Sequence, residues 1–281
     1  MTSTDPAPGP SAPGGVRARA RAQLMADLLA VARAQLATEG PAGLSLRAVA
    51  RELGVSSSAV YRYVDSRDAL LTALIIEAYD EVGGVCERAA SQAMSDDDDP
   101  GRAWLAVGRA FRAWALANRA SFELIYGTPV PGYAAPRDTV AAATRLWLVI
   151  ENVLLTAKAR GELVPTGPEL DVHGLMADEV MAFARAHVRV PGGTHPASAV
   201  GPAPDSLPAR GSDPAPAVGP DVTPTEGELA RSVTLWVSLV GGVSAEVFGH
   251  LHRMTHDYAR LFEITLATAA AGVGLRVPLV P

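Results

Sequence analysis

The stretch of sequence that decides the fold is LSLRAVARELGVSSSAVYRYV, residues 44–64. Its first half predicts a helix whose buried side chains are Leu46, Val49, Ala50 and Leu53. Ser45 precedes this helix and has the hydroxyl that suits a helix N-cap. Gly54 ends it and permits a turn with positive φ, after which a short helix is predicted from about Ser57 to Tyr63. Two short helices joined by such a turn form a helix-turn-helix.

The outer face of the second short helix is polar. We expect Val55 and Val60 to pack against the first helix, where the small Ala50 lets the two helices approach closely. The side chains left on the outside are Ser57, Ser58, Tyr61 and Arg62. Hydroxyl and guanidinium groups on such a helix can reach phosphates or base edges, so this face is a candidate DNA-binding surface.

Together with Arg67-Asp68-Ala69-Leu70-Leu71, the stretch resembles the N-terminal domain of the TetR (tetracycline-repressor-like) family. The resemblance covers about residues 17–90. It is carried by an ordered set: Ala-x-x-Leu-Gly-Val-Ser, a Tyr in the recognition helix, an aromatic residue two positions on, and a basic residue opening the next helix. It implies a transcriptional repressor that binds an operator palindrome in double-stranded DNA as a homodimer and is released by a small-molecule effector.

The resemblance also implies roles for single residues. Ser45 would cap its helix against a phosphate. The major groove would be faced by Ser57, Ser58 and Ala59. The DNA backbone would be held by Tyr61, Tyr63 and Arg67. Family members more often have Lys at the last of these positions, and either cation can meet a phosphate. Because the first base-facing positions are only Ser and Ala, Arg62 is a further candidate for reading bases.

The alternative interpretation is an ordinary helical hairpin in which Tyr61 and Tyr63 are core aromatics. Ala-x-x-Leu-Gly patterns occur in such hairpins. The complete ordered set favours the DNA-binding interpretation.

Helical periodicity continues through the chain and predicts an all-α fold. The first helix is expected from Val16 to Gly40-Pro41, and a long helix follows an N-cap within residues 65–68. Further helices are predicted at 101–118, 137–161, 168–188, 226–249 and 256–272. The expected domains are a disordered arm (1–16), a helix-turn-helix DNA-binding head (17–66) and a helical regulatory and dimerisation domain (67–281).

Residues 191–224 differ in composition from their surroundings. These 34 positions hold nine Pro and five Gly and almost no large apolar side chain, so they cannot bury a core. The prediction is a disordered, Pro-rich loop inserted in the regulatory domain.

Charge is unevenly distributed along the chain. The formal net charge of −6 divides into +2 over residues 1–70, with eight Arg against six Asp or Glu, and −8 over the remainder. A mildly basic head on an acidic body predicts contact with a polyanion at one end only. It disfavours a nucleoid-type, DNA-bending protein, since such proteins spread positive charge widely.

Composition also limits location and chemistry. Cys86 is the only cysteine, which excludes an intrachain disulfide and a thiolate metal cluster. No secretory signal is recognisable, and no apolar run approaches the ~20 residues of a membrane span. The expected location is the cytoplasm, without a membrane partner.

Aromatic side chains on the helices of the body predict a cavity for an apolar or planar ligand. Its candidate lining is Trp104, Phe111, Trp114, Phe122, Tyr126 and Trp147. Candidate polar groups are Arg112, Glu151 and Asn152. Residues 120–130 and 236–244 resemble a branch of the family whose helical regulatory domain has a central cavity, although Gly241 stands where that branch often has His. The alternative is that the aromatics simply form the core.

A dimer interface is expected from two late helices, because helix-turn-helix proteins that bind palindromes are two-fold symmetric. The predicted helices 168–188 and 226–249 are the candidates. Their apolar faces are Leu175, Val180, Met181 and Ala184, and Leu229, Val233, Trp236, Val237 and Val240. Gly241-Gly242 would allow helix backbones to approach closely.

No enzyme class is indicated. The sequence has no Gly-rich phosphate loop after a strand and no nucleophile elbow, and a paired-carboxylate site stays an open alternative that nothing singles out. His250, His252 and His256 could gather near a helix junction, but an exposed pair of histidines usually binds nothing. The acidic run Asp96–Asp99 predicts a solvated loop. We therefore expect a regulator without a catalytic site, a cofactor or a bound metal.

Overall fold

The computed structural model of the chain describes residues 13–164, 171–187 and 224–279. Ten α-helices are present there, and the only strand-like pairing among these residues is an isolated antiparallel bridge between Leu163 and Leu275. The predicted all-α fold is confirmed. Residues 1–12 of the predicted arm and residues 191–223 of the predicted loop lie outside the described residues.

Helix α1 (Pro13–Gly43) is interrupted at Gly40, whose φ of 69° and ψ of 177° leave the helical region. Before this break the buried side chains recur at every fourth position: Leu28, Ala32 and Leu36. The break falls where Gly40-Pro41 predicted it. The helix begins at Pro13 rather than at Val16. Proline is compatible with the first turn, because the N–H group that it lacks would have no intrahelical acceptor there.

Helices α2 (Leu46–Glu52) and α3 (Ser57–Tyr61) form the helix-turn-helix. Ser45 caps α2, since its Oγ accepts a hydrogen bond from the backbone N of Ala48 at 3.4 Å. Gly54 has the expected positive φ, 68°. Helix α3 ends at Tyr61 rather than at Tyr63. Immediately beyond Tyr61 the backbone bonds join residues three apart, as in a 3₁₀ turn; Tyr63 N donates to the carbonyl of Val60 at 2.9 Å.

Helix α4 (Arg67–Asp97) is capped by Ser66, whose Oγ accepts from the backbone N of Ala69 at 3.0 Å. Asp96 and Asp97 belong to the last turn of α4, so the loop predicted for Asp96–Asp99 is wrong for these two residues. Only Asp98 and Asp99 separate α4 from α5 (Pro100–Ala117), because the backbone leaves the helix at Asp98, whose φ is 51°. Asp99 caps α5 by accepting from the backbone N of Gly101 at 2.7 Å. Helix α6 (Arg119–Tyr126) follows after Asn118 and was not predicted as a separate helix.

The remaining helices are α7 (Thr139–Ala159), α8 (Asp178–His187), α9 (Glu226–Val247) and α10 (Tyr258–Val273). The start predicted for α8, residue 168, is wrong, since residues 171–177 form turns. Gly174 there has a φ of 70°. The helix begins where two acidic residues, Asp178 and Glu179, complement the positive end of its dipole.

Helix α7 is long and apolar enough to cross a membrane by length and composition alone. This departs from the expectation that no run approaches such a length. Of the 18 most apolar consecutive residues of this helix, 56% are buried inside the structure. A helix in the core of a folded domain has the same length and composition. Arg145, Glu151 and Lys158 interrupt its sequence.

The described residues cluster into two compact units. The first comprises those up to Val85 together with Phe111–Arg145 and Val247–His250, and the second comprises the rest. In the first unit, Val49, Ala50, Val60 and Val64 of the head share one core with Leu70, Leu71, Leu74 and Ile75 of α4 and Leu124 of α6. The head predicted for residues 17–66 therefore shares its core with side chains beyond residue 66.

Candidate DNA-binding surface and regulatory core

Helix α3 turns its polar side chains away from the core. Val60 is only 1% exposed, whereas Tyr61 is 45% exposed. Ser57, Ser58 and Arg62 are exposed, and Ala59 is half-buried. The helix thus presents hydroxyl, phenol and guanidinium groups at its surface, and Tyr61 is not a core aromatic.

A shallow groove gathers three of the residues expected to contact phosphate. It encloses about 350 Å³ between the start of α2, the end of α3 and the start of α4. Its lining is Leu44, Ser45, Leu46, Arg47, Tyr61, Asp65, Ser66 and Arg67. The hydroxyls of Ser45 and Tyr61 and the guanidinium of Arg67 are donors of the kind that bind phosphate oxygens in protein–DNA complexes.

Arg67 also contacts the end of α1, beyond the break at Gly40. Its Nη2 donates to the carbonyl oxygen of Pro41 at 2.6 Å, and its Nη1 lies 3.6 Å from Oδ1 of Asp68. A guanidinium has five N–H donors, so the bond to Pro41 does not exhaust them. The same side chain can therefore position the head and bind an anion in the groove.

Tyr63 and Ser58 have surroundings that the sequence did not predict. Tyr63 is half-buried against the core of the first unit, with the guanidinium carbon of Arg21 5.5 Å from its ring centre. The Oγ of Ser58 lies 3.0 Å from the Oγ of Ser56. Ser56 caps α3 by accepting from the backbone N of Ala59 at 3.2 Å. Three consecutive serines left the position of this cap ambiguous.

An ion-pair network in the first unit was not predicted either. Arg33 of α1 lies 2.9 Å from Glu81 and 3.6 Å from Glu77, both of α4. Nε1 of Trp114 donates to the other carboxylate oxygen of Glu81 at 3.4 Å. Burial raises the pKa of Glu77; the charge of Arg33 opposes this rise and the charge of Glu81 adds to it. The network connects α1, α4 and α5.

Four of the six candidate ligand-binding aromatics lie in the first unit. Phe111 and Phe122 are fully buried, and their ring centres lie 5.7 Å and 5.2 Å from that of Tyr126. Tyr79 meets Tyr126 edge-on at 5.9 Å. Trp114 is 7% exposed. The rings contact one another in the edge and tilted geometries that aromatic pairs prefer.

The other two candidates, Trp104 and Trp147, belong to the second unit. Trp104 is fully buried, and its Nε1 donates to the carbonyl oxygen of Leu266 at 3.1 Å. Trp147 is half-buried, and its Nε1 donates to Oγ of Ser232 at 3.0 Å. The six candidates are thus divided between the two units.

Glu151 of α7 is a buried acid in the second unit. Its side chain is fully buried, and neither carboxylate oxygen has a hydrogen-bond partner among the described residues. The neighbouring hydroxyl of Ser232 donates its single proton to the carbonyl oxygen of Leu229, at 2.7 Å. Burial raises the pKa of Glu151 to about 7; the nearby hydroxyl lowers it and the charge of Glu228 raises it further.

The predicted dimer faces are partly used within the chain. Met181 and Ala184 of α8 pack with Leu229 of α9 in one buried cluster, so the prediction that these three supply an interface is wrong. The predicted side chains that remain exposed are Leu175, Val180, Val233 and Val237. Gly242 does allow a close approach, but to Phe262 of the same chain, whose ring would lie 3.0 Å from an added Cβ.

The described residues contain no group of three or more His, Cys, Asp or Glu side chains that could hold a metal ion. His250, His252 and His256 are all exposed. The ring of His250 lies 6.4 Å from that of Phe248.

Two family models match the chain. One, for bacterial regulatory proteins of the tetR family, matches residues 28–74. The other, for the tetracyclin repressor-like C-terminal domain, matches residues 104–269. The HTH-type transcriptional regulators Mb1846 of Mycobacterium bovis and Rv1816 of Mycobacterium tuberculosis are each 45% identical over 152 residues, which is 53% of this chain and 63% of theirs. The chain thus matches less than two thirds of the length of these relatives.

Solved structures share the fold. The crystal structure of SCO4313, described as a regulatory protein, is similar at 30% identity with a TM-score of 0.58, over 90% of this chain and 98% of that one. A bacterial regulatory protein in the tetR family from Rhodococcus RHA1 is 14% identical, with a TM-score of 0.51 over 89% of this chain and 96% of its own. This second likeness supports the fold alone.

An N-terminal helix-turn-helix with an exposed polar second helix, followed by a helical body, is the architecture typical of one class of DNA-binding transcriptional regulators. The C-terminal family model alone spans more than half of the chain. The chain therefore belongs to the TetR family of bacterial regulatory proteins.

Proposed function

We propose that this TetR-family regulator is a homodimeric repressor that binds an operator palindrome and is released by a small, largely apolar ligand. The observation that carries the proposal is the groove in which Ser45, Tyr61 and Arg67 meet beside the exposed face of α3. Phosphate contacts from this groove would fix the register of the head on DNA. Base edges would then be read by Ser57, Ser58, Ala59 and Arg62.

A homodimer is supported by apolar side chains exposed on α9. Val233 and Val237 are four residues apart, so they lie on one face of the helix, and they are 41% and 54% exposed. Gly241, also exposed, continues this row. Exposed apolar side chains grouped on one helix face suit an association surface. A two-fold dimer would present two copies of α3 to major grooves about 34 Å apart, one helical turn of DNA.

Release by a ligand requires that the ligand and the operator favour different conformations of the protein. The network of Arg33, Glu81 and Trp114 supports such a connection, because it ties α1 and α5 to α4. Helix α4 also begins with Arg67 of the groove. A displacement of α4 would therefore move a phosphate contact. A coupling of about 1–3 kcal/mol would change operator affinity by roughly 5- to 150-fold.

Selection of genomic DNA fragments by the full chain, followed by footprinting, tests operator binding. One discrete inverted repeat is expected. Tyr61→Ala and Arg67→Ala should weaken binding to every sequence, whereas Ser57→Ala should change the preferred bases.

The salt dependence of binding gives a second readout of the phosphate contacts. Arg67→Ala should reduce the slope of log affinity against log salt by about one for each phosphate that Arg67 neutralises. Arg88→Ala, an exposed arginine of α4, is the matched control and should leave the slope unchanged. Broad, salt-sensitive coating without a discrete footprint would contradict the proposal.

Ligand release has its own test. Apolar compounds are screened for quenching of tryptophan fluorescence, and each hit is titrated again with operator present. Linkage requires that operator weaken ligand binding by the same factor by which the ligand weakens operator binding. Hits that bind equally well with and without operator would contradict ligand release while leaving operator binding intact.

A further inference from the structure

The carboxylate of Glu151 is buried at a cost that the described chain does not offset. Burying a carboxylate without a partner is strongly unfavourable. The adjacent Ser232 hydroxyl lowers the pKa of Glu151 but does not outweigh burial. Its proton goes to Leu229 O at 2.7 Å, and its oxygen accepts from Trp147 Nε1 at 3.0 Å. Both carboxylate oxygens of Glu151 therefore lack a donor among the described residues.

Lys158, the only lysine in the sequence, pairs with a different carboxylate, that of Glu228. Lys158 lies seven residues after Glu151 on α7, close to the same helix face. Its Nζ is 2.7 Å from one carboxylate oxygen of Glu228 and 2.9 Å from the other. Burial alone would raise the pKa of Glu228, but the bonds from Lys158 and Thr225 hold it below its usual value. Both carboxylate oxygens of Glu228 are thus paired with Lys158. Because Lys158 is engaged there, it does not pair with Glu151.

Aromatic rings lie beside Glu151 and Ser232. Trp147 lies one turn before Glu151 on α7 and is half-buried. The ring of Phe183 on α8 has its centre 6.4 Å from that of Trp147. His187 stacks on Phe183, with 4.1 Å between ring centres. The faces of Trp and Phe rings attract cations, and rings combined with a carboxylate suit organic ammonium groups.

We propose that Trp147, Glu151 and Ser232 form a binding site for an organic cation, an apolar or aromatic molecule that carries a protonated amine. The ammonium N–H groups would donate to the carboxylate of Glu151, and the apolar part would lie against Trp147 and Phe183. This inference rests on the proposed ligand response and narrows its ligand to a chemical class. The bound amine would place a positive charge beside Glu151, as Lys158 places one beside Glu228.

Calorimetric titration of the full chain with arylalkylamines of graded length tests the site, each amine being paired with the alcohol of the same skeleton. At least one amine should bind the wild type about 30-fold or more tighter than its alcohol, as expected for a buried charge pair. Glu151→Gln keeps the side-chain shape and removes the charge, so it should abolish this preference.

Glu263→Gln is the matched control. It removes a carboxylate of α10 that lies 2.6 Å from Arg109, and it should preserve the preference for amines. Thermal melts establish that both variants fold. Trp147→Leu provides a second variant at the site and should weaken binding of the same amines. An amine that binds all of these proteins as it binds the wild type overturns the site.

The remaining outcomes separate this inference from the proposed ligand response. Equal affinity for amine and alcohol, or no binding by any amine of the series, overturns the site. Operator release is measured in parallel by fluorescence anisotropy. An amine that binds through Glu151 without releasing operator supports the site and contradicts the ligand response. If a neutral compound releases operator equally from wild type and Glu151→Gln while no amine of the series releases it, the ligand response is supported and the inference that its ligand is an organic cation is overturned.

Discussion

Replacing Glu151 with Gln should remove a pH dependence from the stability of the folded chain. Burial raises the pKa of Glu151 from the ordinary value of 4.5 to about 7. The folded chain therefore holds this proton more tightly than the unfolded chain does, and the free energy of unfolding falls as the pH rises between these values. The contribution is fully present below the unfolded pKa and disappears as the pH rises through the folded one.

The magnitude follows from the two pKa values. Between 4.5 and about 7, at about 1.4 kcal/mol for each pH unit, the wild type should lose ~3 kcal/mol of unfolding free energy. The side chain is fully buried, so solvent screening does not reduce this figure. Groups that titrate alike in both proteins cancel in the difference. Glu151→Gln should therefore gain up to ~3 kcal/mol on the wild type between about pH 5 and about pH 8.

Urea unfolding followed by circular dichroism measures this difference at several pH values. Protein concentration is held constant, because the stability of an oligomer depends on it. Glu228→Gln is an informative control, since the pKa of Glu228 is lowered. Its stabilising contribution disappears as the pH falls, so its difference from the wild type should change in the opposite direction. A difference between wild type and Glu151→Gln that stays constant with pH would refute the reasoning.

The turn, the ion-pair network and the exposed row on α9 each lead to a further prediction. Gly54→Ala should cost about 1 kcal/mol in chemical denaturation, because a φ of 68° strains any side chain; Gly272→Ala, inside α10 where an added Cβ would meet nothing within 4 Å, should cost nothing. Arg33→Ala should destabilise by about 1 kcal/mol at low salt and by less at high salt in thermal melts, as expected for a half-exposed ion pair. Val237→Asp should convert the proposed dimer to a monomer in light scattering, whereas Val140→Asp, at a comparable exposure of 51%, should not; a Val237→Asp dimer would contradict the proposed interface.

The helix-turn-helix was predictable because its determinants act over short distances. Ser45 caps the helix that starts at the next residue, and Gly54 adopts the positive φ that only glycine takes readily. The burial of Val60 and the exposure of Tyr61 follow from which face of a short helix meets its neighbour. Such rules operate within one or two turns of chain, so one sequence contains them in full.

The packing of the body depends on residues far apart in sequence. Arg33 and Glu81 are separated by 48 positions, and Trp147 and Ser232 by 85; no spacing rule connects such pairs. Periodicity identified Met181 as part of an apolar face, but it could not tell that the same chain covers that face. The DNA-binding and ligand-binding assignments remain predictions, since they require partners that the chain alone does not supply.

The core that the head shares with α4 and α6 decides where this regulator could be cut and rejoined in a chimaera. A junction after residue 66 would separate Val60 and Val64 from Leu70 and Leu74, and each fragment would expose apolar surface. A junction beyond Ile75 would carry the α4 side chains with the head, but Leu124 would still come from the recipient protein. Transplanting the head into another regulator of this fold therefore means transplanting a matched side chain at position 124 as well, so the exchangeable module is discontinuous in sequence.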